Sequence, residues 1–408
     1  MKKLFTTALL MVIVSTFSLY SNWERCGGSG MVDTAKFRAV TTSGTNIYAS
    51  IYYGAPNYGI YFSSDNGNTW AAKNKGMESD TVYTILVEGN NIFAGTYKKG
   101  GLKFSNDGGS SWVVKNKGLL DSMIVSLTSK DSFVYAGTIN SGMFVSSDSG
   151  KTWLPRNTGF GSSLYVRALI FVGDNLYAGT YKDGIFMSTD NGSNWTCKTG
   201  LLVSEFMNVN SFTLNGQYLF AGTQLYGVFI SSDYGDNWQA ISGLSKFSNT
   251  NCLSNKGNNL FIGTPSNGVY LSTDNGTTCN TINDGMATNN EYVRQLAIND
   301  DYIFAATNSG LYRRKLSEII TDVADNKKQD KEIKVFPNPV KDFIEIGLPS
   351  SNQSPKIKIY SVEGIEVYSK PSEGLNPSEG YKIDVSSFAP GVYYVKVGDR
   401  VLRFVKIC

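Results

Sequence analysis

Seven positions, Arg38, Tyr83, Val125, Arg167, Asn210, Asn251 and Arg294, fall at matching places near the start of similar strand-forming segments, and three are arginines. Arginine is permanently cationic and offers a flat fork of N–H donors suited to carboxylate, sulfate or phosphate. Arg167 and Arg294 both close a Tyr-Val-Arg string, and Tyr165, Tyr292, Glu205 and Glu291 lie close by as candidates for the same rim. A second set is acidic: Asp65, Asp107, Asp148, Asp190, Asp233 and Asp274 are separated by 42, 41, 42, 43 and 41 residues. Regular carboxylates invite a calcium reading. The loops around them lack the alternating oxygen ligands and late bidentate Glu that such a site needs, so the six aspartates read as structural. The chain has no histidine, the commonest general base and metal ligand. Its five cysteines, Cys26, Cys197, Cys252, Cys279 and Cys408, form no CxxC pair, which argues against zinc and against a disulfide framework. One bridge is open to them; burial as small hydrophobes is the simpler reading. No metal, cofactor or catalytic set is expected.

The elements that position these residues are repeated. The block NIFAGT (Asn91–Thr96) returns as FVYAGT (Phe133–Thr138), NLYAGT (Asn175–Thr180), YLFAGT (Tyr218–Thr223) and NLFIGT (Asn259–Thr264). Weaker copies, NIYASI (Asn46–Ile51) and YIFAAT (Tyr302–Thr307), bring the number to seven. After each of the first six comes a second block: SSDNGNTW (Ser63–Trp70), SNDGGSSW (Ser105–Trp112), SSDSGKTW (Ser146–Trp153), STDNGSNW (Ser188–Trp195), SSDYGDNW (Ser231–Trp238) and STDNGTTC (Ser272–Cys279). A period of about 42 residues accommodates four short strands and their turns, the size of a propeller blade. In the second repeat these are expected at Thr81–Glu88, Asn91–Thr96, Gly101–Phe104 and Ser111–Asn116.

The fold class expected is all-β: a seven-bladed β-propeller whose N-terminal strand closes the last blade, followed by a small Ig-like β-sandwich. The seventh repeat offers Val293–Asn299, YIFAAT and Gly310–Leu316, then no second block. The segment NWERCGGSGM (Asn22–Met31) mimics the outer strands NWTCKTGL and TWLPRNTGF, with Trp23 where Trp195 and Trp153 stand. A surplus strand at one end and a missing one at the other imply a ring, which leaves no exposed end blade.

The S-x-D-x-G-x-[TSN]-W block resembles the Asp-box, or BNR, repeat of sialidases, sortilin-type receptors, photosystem assembly factors and some glycoside hydrolases. The resemblance implies turns on the edge away from the ligand face, with the Trp packed between blades. Cys279, where the sixth box departs from Trp, implies looser packing. Sialidases carry an arginine triad, a Tyr–Glu pair and a Phe-Arg-Ile-Pro type motif. Here the nearest string is Lys36-Phe37-Arg38-Ala39, and Arg167 falls nearly opposite Arg38 and Arg294 around the ring.

Lys2 and Lys3 before the apolar run Leu4–Leu19 read as an export signal over residues 1–21. The propeller is expected over 22–316, and a charged linker over 317–334. The strings FPNP, KIKIYSVEGIEVYS and DVSSFAPGVYYVKV within residues 335–408 resemble the C-terminal sorting domain (type A) of type IX secretion substrates. That resemblance implies the type IX machinery as a partner and delivery outside the cell or onto its surface. A net charge of +3 does not point to nucleic acid. The expected function is a monomeric binding protein that presents a propeller face to a glycan or a surface or secreted protein. The alternatives are a sialidase-like glycosidase on acidic sugars and an assembly factor for a surface complex.

Overall fold

The computed structural model describes residues 22–27, 35–53, 59–77, 81–97, 100–198, 208–244, 248–288, 291–319, 334–336, 340–347, 357–361, 365–370, 381–397 and 400–406. The expected export signal, residues 1–21, lies outside them. The chain divides into two compact units, Met1–Thr321 and Asp322–Cys408.

The first unit contains seven four-stranded antiparallel sheets among the described residues. In the third, Ile124–Lys130 pairs with Phe133–Thr138, then Met143–Ser146, then Leu154–Pro155. The Phe133–Thr138 strand is buried on both faces because neighbouring sheets cover it, so it reads as a continuous apolar string. Gly137 shows how tight the stack is. A Cβ there would lie 2.6 Å from the Val166 carbonyl oxygen of the next sheet. In the first sheet Ser50 stands at that place, and its hydroxyl donates to the Val82 carbonyl at 2.9 Å. Six of the seven blocks end in a threonine that closes the turn into the third strand. Thr96 and Thr138 do so by donating to the carbonyls of Gly101 and Gly142, each at 2.9 Å.

Outer strands are shorter than expected. In the second sheet only Val113–Val114 pairs, not Ser111–Asn116. The chain is diverted by Trp112, whose backbone N–H donates at 2.9 Å to Lys75 of the preceding sheet. The indole follows it, with Trp112 Nε1 donating to the Lys73 carbonyl at 2.8 Å. Trp153, Trp195 and Trp238 repeat the contact on Lys115, Arg156 and Lys198, each at 2.9 Å. Each tryptophan therefore bolts its own sheet to the one before. Where the sixth block has Cys279, half-buried, Ile241 packs over Gly276, its Cγ2 2.5 Å from a Cβ built there. An apolar cavity of about 150 Å³ beside Ile241 is lined by Tyr226, Val228, Phe229, Ile241 and Leu244 of the fifth repeat.

The last sheet draws on both ends of the unit: Val293–Ile298, Tyr302–Thr307 and Leu311–Lys315 are completed by Glu24–Arg25. Trp23 makes the tryptophan contact on the sixth sheet, its N–H donating to Asp284 at 2.7 Å and its indole to Ile282. First and last sheets also meet: Thr42 Oγ1 donates to the Ile298 carbonyl at 2.8 Å, and Arg313 Nη1 to the Asn66 carbonyl at 2.6 Å. Residues 316–319 form a helical turn. Its Leu316 and Ile319 are buried in the cluster that holds Trp23.

Six turns carry the repeated aspartates, at the sheet end opposite the seven aligned positions, since the turn follows Ser146 and Ser146 pairs with the start of the second strand. Asp148 Oδ1 accepts from the Ser146 hydroxyl at 2.8 Å and the Thr152 N–H at 2.8 Å, and Oδ2 from the Thr152 hydroxyl at 2.6 Å. Ser146 in turn accepts from the Gly150 N–H at 2.8 Å. Asp65, Asp107, Asp190, Asp233 and Asp274 repeat the pattern. The turn needs two successive residues at positive φ, here Ser149 (56°) and Gly150 (79°), which explains the constant place of the glycine within the block.

Donors converging on the carboxylates hold them below their ordinary range; Asp65, Asp148 and Asp233 fall from 3.8 to about 2. A carboxyl whose folded pKa is depressed stabilises the fold above its unfolded pKa and loses that effect as pH falls through the folded value. Urea midpoints are therefore expected to drop between about pH 4 and pH 2. Asp148→Asn should flatten part of that drop while lowering the midpoint at pH 7. An unchanged midpoint at pH 7 would show the turn bonds to be dispensable.

Among the cysteines, Cys26 and Cys252 are buried, Cys279 is half-buried and Cys197 is exposed. Cys408 lies outside the described residues. In the second unit a three-stranded sheet (Lys334–Phe336, Phe343–Gly347, Tyr381–Asp384) and a four-stranded sheet (Glu366–Lys370, Ile357–Ser361, Gly391–Val397, Arg400–Lys406) share one core. Ile344, Ile346, Ile359, Val395 and Phe404 fill it, each fully buried.

Candidate functional site

In six of the seven sheets the first strand starts with an irregularity. Phe37 pairs with Ile51 and Ala39 with Ser50, leaving Arg38 as the extra residue of a β-bulge. Tyr83, Val125, Arg167, Asn210 and Arg294 are skipped in the same way. Asn251 directly precedes its strand, and its N–H donates to Gly263 at 2.9 Å. A bulge turns its extra side chain out of the ladder, here towards a shared space. All seven positions line one cavity of about 250 Å³. Six of them, Tyr83 excepted, also line a second of about 110 Å³, together with Tyr165 and Tyr292.

Each arginine is held by aromatic rings. Arg38 Cζ lies 4.2 Å from the centre of the Tyr83 ring, which stacks on Tyr97 at 4.9 Å. Arg294 Cζ lies 4.5 Å from Tyr52 and 4.7 Å from Tyr292, and its Nε donates to Asn308 Oδ1 at 3.0 Å. Arg167 Cζ sits 5.2 Å from Tyr165 and 5.9 Å from Tyr181, and its Nη1 donates to Gln224 Oε1 at 3.4 Å. Stacking fixes the guanidinium while leaving its N–H edge available. Among the described residues none of these three arginines is within ion-pair distance of a carboxylate. No Asp or Glu lines either cavity among them. Burial first, and the like charge of Arg38 second, depress the pKa of Arg294. Burial raises that of Tyr83.

Other positions divide. Asn210 and Asn251 spend their amide donors on the next sheet, Nδ2 donating to the Thr250 carbonyl at 2.7 Å and the Val293 carbonyl at 2.8 Å. Asn210 Oδ1 and Arg38 Nε are buried with no hydrogen-bond partner. Glu291 is not on the rim: it is 4% exposed and accepts from the Ser309 hydroxyl at 2.6 Å. Glu205 lies outside the described residues. Sequence reasoning missed Tyr52, Tyr97, Tyr181, Gln224 and Asn308. Their common signal is position, since each directly follows the last residue of a repeat block (Ile51, Thr96, Thr180, Thr223, Thr307). Four of them, Tyr52, Tyr181, Gln224 and Asn308, touch an arginine of the first set, and Tyr97 stacks on Tyr83.

The fold of the first unit is that of β-propellers, as comparison with solved structures shows. A structure of YCF48 bound to D1 peptide matches with TM-score 0.58 and 14% identity, over 72% of this chain and 96% of that one. PorZ, described as an essential bacterial surface component of the type IX secretion system of Porphyromonas gingivalis, matches with TM-score 0.54 and 15% identity. That match covers 92% of this chain but 60% of PorZ. An ancestral GH74 enzyme matches with TM-score 0.56 and 16% identity, over 94% of this chain and 63% of that one. No curated protein matches the chain. Residues 334–406 match the family described as the secretion system C-terminal sorting domain. The protein is thus exported by type IX secretion, to the cell surface or beyond it, with the secretion machinery as one partner.

Proposed function

We propose that this chain is a non-enzymatic binding protein of the cell surface or medium, built as a closed seven-bladed ring of Asp-box repeats, that receives an anionic group of a glycan or protein at its arginine-lined mouth. The observation that carries the reading is the trio Arg38, Arg167 and Arg294, gathered in one space, ring-stacked, and without carboxylate partners among the described residues. Uncompensated guanidinium groups around a concavity favour an anion from outside. The pairing of Glu24–Arg25 with Leu311–Lys315 and the contacts between first and last sheets support ring closure. YCF48 bound to a peptide on the same fold, and PorZ as a surface component, accord with a binding role.

Most glycosidases place two carboxylates roughly 5–10 Å apart about the substrate, and even the sialidase arrangement, with its Tyr–Glu pair, needs carboxyl groups at the site. The described walls of both cavities supply none. An array of acidic and neutral glycans, run beside fluorogenic sialosides and uronides, tests the proposal on the full chain. Retention on acidic members without turnover is the expected outcome; turnover abolished by Arg294→Ala would instead make the protein an enzyme.

A further inference from the structure

The three arginines are not equivalent. Arg38 and Arg294 belong to the first and last sheets, whose inner strands face each other where the two ends of the chain segment meet. Arg294 feels the charge of Arg38 directly, and both lie within one group of tyrosines, Tyr52, Tyr83 and Tyr292. Tyr83 packs on both Arg38 and Tyr97, and Tyr52 and Tyr292 each give a face to Arg294. Neither guanidinium pairs with a carboxylate among the described residues, and Arg38 Nε is buried without a hydrogen-bond partner, so the positive charge here is uncompensated. Arg167 lines the same cavities but belongs to another sheet, with Tyr165, Tyr181 and Gln224 as its neighbours.

Resting on the reading of an anion-binding mouth, we propose that Arg38 and Arg294 together form a site for one phosphate dianion, free or as a terminal monoester, spanning the junction of the first and last sheets. Two adjacent cations that repel each other are matched by a single group carrying close to two negative charges, which a carboxylate lacks. A phosphate also has oxygens enough to accept from both forks at once, whereas a carboxylate saturated by one fork leaves the other unpaired. Asn308 is the positioning residue, holding Arg294 by its Nε.

Calorimetric titration of the full chain at constant ionic strength tests this with inorganic phosphate, glucose 6-phosphate and glucuronate. Both phosphates are expected to bind at least about tenfold more tightly than glucuronate. Equal affinity for the two phosphates would assign the site to the anion alone; a tighter glucose 6-phosphate would assign it to a phosphorylated glycan. Arg38→Gln and Arg294→Gln should each remove the signal, Arg167→Gln should keep it within about threefold, and Asn308→Ala should weaken it by an intermediate factor with circular dichroism unchanged. The inference is overturned if glucuronate binds as well as phosphate, or if Arg167→Gln is as damaging as Arg38→Gln. Should phosphate fail while acidic glycans are still retained on the array, this inference falls alone. Should every anion fail, the binding reading falls with it.

Discussion

Trp23→Ala is expected to remove about 3–5 kcal/mol from the stability of the first unit, the usual range for truncating a buried tryptophan. Trp23 is 2% exposed, packs with Leu316 and Ile319, and donates through both backbone and indole to the sixth sheet. Next to it, Glu24–Arg25 supplies the fourth strand of the last sheet, so the substitution loosens that strand as well. Against a total of about 5–15 kcal/mol for an ordinary domain, the loss is large. Glu24→Ala is the matched control. Its ion pair with Arg313 at 3.2 Å is largely exposed on the Glu24 side and should contribute at most about 1 kcal/mol. Urea unfolding of the full chain, followed by tryptophan fluorescence, reads the first unit, because every tryptophan lies there. A shift below about 1 kcal/mol for Trp23→Ala would mean that the N-terminal strand is an ornament rather than a clasp.

The triple variant Arg38→Ala, Arg167→Ala, Arg294→Ala should lose at least about 100-fold in affinity for whichever acidic glycan the array identifies. Hydrogen bonds to charged groups contribute about 1.5–3 kcal/mol each, so even two lost contacts exceed that factor. Stability should fall by no more than about 1.5–3 kcal/mol, since each arginine gives up ring stacking of about 0.5–1 kcal/mol while the mutual repulsion of Arg38 and Arg294 disappears with them. Rising salt should weaken the wild-type interaction and leave the variant indifferent, as screening demands of a charge-driven contact. Retained binding by a folded triple variant would move the search away from the mouth.

Much of the scaffold was legible because a repeat is redundant information. Gly95, Gly137, Gly179, Gly222 and Gly263 recur because the next sheet's inner strand, its backbone or a β-branched or leucine side chain, passes within 3.2 Å of where a Cβ would be. The aspartate turns recur because one carboxylate must serve the same three donors each time. The arginine positions were legible too, since aligned strands place equivalent residues at equivalent heights. Their neighbours were not. That Tyr52 packs on Arg294, residues 242 apart in the chain, is set by which sheets become adjacent and by the bulge that turns Arg294 out of its ladder. Whether Glu291 faced the mouth or the core was likewise undecided by its order in the chain; a hydrogen bond from Ser309 settles it inward. The outer strands, two residues long where six were expected in the second sheet, were shortened by tryptophans whose partners belong to another sheet. Local pattern thus determined the strands, the turns and the height of the candidate residues, because each depends on bonds within one repeat. Only the tertiary structure decided which charges stand together and which are neutralised, because those depend on contacts between repeats that sequence spacing does not encode.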